Sequence, residues 1–195
     1  MCAATGVERV RIAVADRLAL ADLVHLYAAV VDDRRFEDAV ELFTDTAELL
    51  LPDPPRELEP VRKHSGRAGV RNAMAALAGV ERTEHAIVGE VYAATPEPDY
   101  ALGRITCVAH HWSRRDGEVT DLVWHLRYDD EYLRTPSGWR IHGRALVINA
   151  IESRPVRRLR AAQATDPATV ADPSAASTEP QPRRTTRRGR APGTA

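Results

Sequence analysis

The feature that most constrains this chain is a change of hydrophobic period near Gly79. Before it, Leu20, Leu23, Val24, Tyr27, Val30 and Val31 recur at three- and four-residue steps and form one apolar stripe, the pattern of a helix packed on one side. Asp16 stands where an N-cap belongs, and the helix is expected to stop at Asp32 and Asp33. A short second helix follows with Phe36, Val40 and Phe43 inward. Residues 47–51 read as a short strand ended by Pro52, Pro54 and Pro55, and 52–63 as a polar loop. A third helix is expected from Ser65 or Gly66 to about Leu77, burying Val70, Met74 and Leu77.

After Gly79 the period becomes two. Strands are expected at 85–94, 100–113, 119–134 and 139–151, joined by short segments rich in Gly, Pro, Asp and Ser. Consecutive hairpins make an antiparallel meander. Helices gathered ahead of a sheet imply an α+β architecture with the helices on one face.

Alternation sorts the two faces of each strand. In 100–113 one face carries Ala101, Gly103, Ile105, Cys107, Ala109 and His111; the other mixes large and polar groups and ends with His110 and Trp112. The small, apolar set suits a surface beneath helices or beside a ligand. A one-residue bulge would exchange His110 and His111, so alternation leaves open which of them looks inward. In the next strand Leu122, Trp124, Leu126 and Tyr128 share the inward face, opposite Asp121, His125, Arg127 and Asp129. His111, Tyr128 and Trp124 therefore point towards the helices, His85 opens its strand in the same region, and Asp32 ends the first helix beside it.

Charge divides the chain. Nine of the 27 Lys and Arg and three of the 28 Asp and Glu fall from Arg154 onward, leaving 18 basic against 25 acidic residues before it. An acidic body argues against a nucleic-acid-binding core. Past Arg160 the Ala, Pro, Thr, Ser and Arg composition offers too little apolar surface to offset ordering, so disorder is expected there. The expected organisation is a flexible N-terminus at 1–15, a domain at 16–153 and an arginine-bearing tail at 154–195. Cys2 and Cys107 cannot make a secreted-type disulfide framework. No stretch has the length of a membrane span, and Glu8, Arg9, Arg11 and Asp16 interrupt any signal-peptide centre. A cytoplasmic protein without membrane contact is expected.

The order of parts is similar to a known family. Tyr27 to Phe36 with Leu42 and Phe43, then Thr83-Glu84-His85, then Arg127 to Arg134 with Gly138-Trp139-Arg140-Ile141 and Arg144, resemble the SnoaL-like branch of the NTF2-like superfamily over about Asp16 to Ser153. The resemblance implies a cone-shaped α+β fold: three N-terminal helices packed on a curved antiparallel sheet that encloses a pocket. The superfamily includes polyketide cyclases, scytalone dehydratase, ketosteroid isomerase and non-catalytic binding modules, so fold alone does not name a function. Scytalone dehydratase is nearest in site chemistry: its catalytic aspartate matches Asp32, and its two histidines match His85 and His111. Val31 and Leu51 stand where it has tyrosines, and Leu126 and Tyr128 where it has serine and asparagine, so the same reaction on the same substrate is not expected.

A histidine backed by a carboxylate in an apolar pocket can take and return a proton near neutral pH. The expected function is thus a cofactor-free dehydratase, cyclase or isomerase acting on a small apolar oxygenated ring compound such as a polyketide intermediate. Catalytic candidates are His85, Asp32 and His111, and substrate-binding candidates are Tyr128, Trp124 and Tyr27. A buried structural hydrogen bond is the competing account of Asp32 and His85, and core packing that of Tyr27 and Tyr128. No zinc-ligand spacing, phosphate loop or Gly-x-Ser-x-Gly elbow occurs, so no metal or cofactor is expected. Alternatives are a small-molecule-binding module with the same cone, or a subunit dimerising through the outer sheet face around Arg104, Arg127 and Asp129. His64, His125 and His142 read as surface or structural.

Overall fold

The computed structural model describes residues 12–160 of the 195. The expected flexible N-terminus and arginine-bearing tail lie for the most part outside the described residues. The elements run α1 (Val14–Asp32), α2 (Phe36–Glu41), β1 (Phe43–Asp53), β2 (Glu57–Ser65), α3 (Gly66–Ala75), a 3₁₀ turn (Ala76–Gly79), β3 (Arg82–Ala94), β4 (Tyr100–Arg115), β5 (Glu118–Thr135) and β6 (Gly138–Val156). The six strands form one sheet in the order β2-β1-β6-β5-β4-β3.

Three expectations change. The strand expected at 47–51 runs from Phe43 to Asp53, taking in Phe43, expected on the inner face of the second helix, and α3 follows a β1–β2 hairpin. The segment read as a loop contains β2, which pairs antiparallel with β1 at the sheet edge. Pro60 hid it, although an edge strand tolerates a proline because one side of its backbone needs no partner. The sheet is also mixed, since β1 runs parallel to β6.

The α1 stripe is buried as its period dictates, with Leu20 and Val31 fully covered. Ala13, not Asp16, is the N-cap. Asp16 lies in the first turn, where it accepts from Trp139 Nε1 at 3.1 Å and pairs with Arg134, tying the helix start to β5 and β6. The helix end is sharply set. Arg35 N–H donates to the Val30 carbonyl at 2.8 Å and Arg34 N–H to Val31 at 3.0 Å, with Arg34 in the left-handed region at φ 64. This Schellman arrangement stops the helix immediately after Asp32. A non-glycine residue there costs about 1–2 kcal/mol, and Arg34 Nη1, donating to the Leu77 carbonyl at 2.6 Å, helps to hold it.

β4 and β5 are joined by Asp116-Gly117, both at positive φ (51 and 86), the two-residue turn whose twist matches a hairpin. Register shifts at Ile87/Gly89, His125/Leu126 and Glu131/Tyr132 mark bulges in β3 and β5–β6, which bend the strands around the helices. Gly103 is required on the inner face, because a Cβ there would lie 2.7 Å from the ring of the fully buried Tyr132. Leu20, Val40, Phe43, Val70, Ile105 and Ile141 are among the fully buried residues between helices and sheet.

Candidate active site

A cavity of about 380 Å³ opens between the helices and the inner sheet face, and every helix and strand except α2 contributes to its wall. Much of the wall is apolar, with Leu49, Leu51, Met74, Leu126 and Leu146 among the contributors. His85, His111, Trp124, Tyr128 and Tyr27 all line it, and Asp32 stands behind His85. The unbroken register of β4 decides between the adjacent histidines: His111 lies opposite Leu122 on the inner face, and His110 takes the outer one.

Asp32 is held by three donors. His85 Nδ1 reaches its Oδ1 at 2.7 Å, the His85 backbone N–H its Oδ2 at 2.7 Å, and Thr83 Oγ1 its Oδ1 at 2.9 Å. Burial pushes the Asp32 carboxyl up, but the hydrogen bonds and charge of His85, with Thr83, outweigh it, so the pKa lies below the ordinary carboxylate value. An ionised Asp32 accepts from Nδ1–H and leaves Nε2 as the basic nitrogen of His85. The His85 side chain is only 7% exposed.

His111 differs. Its Nδ1 donates to the Leu122 carbonyl at 3.1 Å, its ring lies 6.2 Å from that of His85, and Trp124 packs against it at 4.5 Å. Burial lowers its pKa to about 4. With no carboxylate behind it, His111 stays neutral at physiological pH and offers Nε2 as an acceptor, not a proton to give away. Burial likewise pushes the Tyr128 hydroxyl well up, so it remains a neutral phenol.

Three contributors escaped the sequence reading. Asp130 and Arg144 form a fully buried pair, Nε to Oδ1 at 2.8 Å and Nη2 to Oδ2 at 2.7 Å, with Tyr132 donating to Oδ2 at 2.6 Å. The Arg144 guanidinium lies against the rings of Tyr27 and Tyr128, at 4.3 and 4.2 Å, the two rings standing nearly perpendicular to each other, and Arg144 lines the cavity. By parity Asp130 shares the face of Tyr128, but its pairing with Arg144 on the neighbouring strand leaves no motif in the sequence. His64, read as surface or structural, also lines the cavity, beside Arg62 and Asn72.

The arrangement is a histidine backed by a carboxylate at the wall of a largely apolar cavity in an α+β scaffold. The SnoaL-like domain family matches residues 13–145. The chain belongs to the SnoaL-like family, within the NTF2-like superfamily. It is 27% identical over 143 residues to the uncharacterized protein Rv2910c of Mycobacterium tuberculosis, covering 72% of this chain and 91% of that one. A candidate scytalone dehydratase from Novosphingobium aromaticivorans superposes with a TM-score of 0.60 at 17% identity, covering 76% of this chain and 91% of that one. The hexachlorocyclohexane dehydrochlorinase LinA-type3 from Novosphingobium barchaimii gives 0.58 at 16% identity, with 74% and 92% covered. At these identities the structural likeness establishes the fold. Among the described residues no helix is long and apolar enough to cross a membrane.

Proposed function

We propose that this chain is a cofactor-free lyase that removes a proton beside a carbonyl of a small apolar cyclic compound and expels the group on the next carbon. The observation that carries this reading is His85, backed by Asp32 and placed at the wall of the cavity. His85 Nε2 takes the carbon-bound proton, and the C–H electrons move to the carbonyl oxygen as an enolate. As the carbonyl re-forms, the bond to the neighbouring hydroxyl breaks and the imidazolium returns its proton to the departing oxygen. The products are a conjugated ketone and water, and His85 ends as it began. Asp32 fixes the tautomer and stabilises the imidazolium. His111 accepts a hydrogen bond from a substrate hydroxyl, while Trp124, Tyr27 and Tyr128 shape the ring-binding wall.

A panel of cyclic ketones bearing a hydroxyl on the β-carbon tests this through the ultraviolet absorbance of the conjugated product. Turnover by wild type and its loss in His85→Ala are expected. A His85→Ala variant that turns over normally, or one that binds the same compounds while wild type turns over none, would leave a binding module instead.

The outer sheet face is proposed as the contact with a second copy of the chain. Val88, Val91 and Leu102 are exposed beside it, and Arg104 and Arg127 both pair with Asp129 there. Val91→Asp should convert a dimer into a monomer in sedimentation velocity.

A further inference from the structure

Among the described residues, Arg144 is the one cation whose side chain is fully buried. Two of its three guanidinium nitrogens are matched by Asp130, and the third, Nη1, is buried without a hydrogen-bond partner. Leaving a charged donor of this kind buried and unmatched is unfavourable. The Tyr27 and Tyr128 rings lie against it nearly perpendicular to one another, at 4.3 and 4.2 Å from its central carbon. The fold nevertheless keeps it at the wall of the cavity. Such an arrangement is explained if a ligand supplies the missing acceptor.

We infer that Arg144 Nη1 donates to the carbonyl oxygen of the bound substrate, and that this oxygen belongs to a neutral ketone and not to a carboxylate. Local charge selects between the two. Asp130 already matches the charge of Arg144, and Asp32 adds a second carboxylate behind His85. A carboxylate ligand would bring a further uncompensated negative charge into a poorly solvated space, which is strongly unfavourable. A ketone brings only lone pairs. Its oxygen becomes negative only as His85 becomes positive, so the net charge of the site does not change during the step. Arg144 would then be strongest where charge develops, beside the enolate oxygen. This inference rests on the lyase reading for the chemistry, but its binding component stands independently of it.

Three probes of one shape separate the possibilities by equilibrium binding to the full chain: tetralin, 1-tetralone and tetralin-1-carboxylate. One charge-assisted hydrogen bond should make 1-tetralone bind about tenfold tighter than tetralin, with the carboxylate weakest. Its carbonyl stretch should also shift to lower frequency on binding. Arg144→Lys keeps a cation for Asp130 but loses the third in-plane donor, so tetralin affinity should persist and the ketone preference should vanish. If that variant does not fold, the wild-type ranking and the carbonyl shift still decide. Trp124 Nε1 is likewise without a partner at the cavity, so Trp124→Phe is the control and should keep the preference. His85→Ala should keep it too, which separates failure of the chemistry from failure of the binding site. Equal affinities for tetralin and tetralone, tightest binding by the carboxylate, a preference that survives Arg144→Lys, or one lost in Trp124→Phe or His85→Ala would each overturn the inference.

Discussion

The described residues contain two histidine–aspartate pairs of nearly identical Nδ1–carboxylate distance, one on each face of one sheet. Inside, His85 Nδ1 lies 2.7 Å from Asp32; outside, His110 Nδ1 lies 2.8 Å from Asp121. Both aspartates are largely or wholly covered, and Asp121 is only 3% exposed. What separates the pairs is the space in front of the ring. His85 faces a cavity, whereas the His110 ring is stacked on Trp112 at 5.1 Å and Asp121 is also approached by Arg154 at 3.4 Å. A histidine–carboxylate pair is therefore no site in itself. The same bond locks a tautomer for chemistry on one face and braces the sheet on the other.

The sharpest contrast is expected in activity. His85→Ala should reduce turnover by about 10²–10⁴, the range for loss of a general base, while His110→Ala should remain within about threefold of wild type; steady-state rates on a responsive β-hydroxy ketone measure both. Asp32→Asn should cost somewhat less, about 10²-fold in kcat with little change in KM, because the base remains but its tautomer and charge lose support. Asp121→Asn should leave both constants near wild type.

A third test sets His111 against both pairs. Its folded pKa of about 4 lies below the ordinary histidine value of 6.5, so between those values the unfolded chain binds a proton that the folded one refuses. Stability owed to this group is complete above about pH 6.5 and falls as pH drops towards 4, by about 3 kcal/mol in all. Urea unfolding at pH 7 and 4.5 should therefore show a smaller acid loss in His111→Phe than in wild type. An equal loss in the two proteins would remove His111 as the cause. The smallest effect is expected outside: His110→Ala should cost about 1 kcal/mol of stability, the net worth of an ordinary hydrogen bond, readable as a small shift in the urea midpoint.

How much of this was legible beforehand depended on the range of the interaction. The α1 stripe and the strand alternation are local: the stripe is buried, and Trp124 and Tyr128, which alternation turns inward, line the cavity with His85, behind which Asp32 stands. The outward turn of His110 depended on the absence of a bulge in β4, which alternation cannot report. Arg144 and Asp130 depended on the presence of one. The hairpin pairs Thr135 with Gly138, and only the shift between Glu131 and Tyr132 brings Asp130 opposite Arg144 instead of Gly143. β2 was missed because Pro60 and alternating charges suit a solvent-facing edge as well as a loop.

The comparison of the two pairs comes to a direct decision in solvent deuterium exchange at C2 of 1-tetralone, the carbon beside the carbonyl, followed by proton NMR. If the inner pair is a working acid–base device, wild type and His110→Ala will both exchange the C2 protons well above the buffer rate, and His85→Ala will not exceed it. Exchange undiminished in His85→Ala, or no enzymatic exchange in wild type despite saturating ketone, would contradict the account.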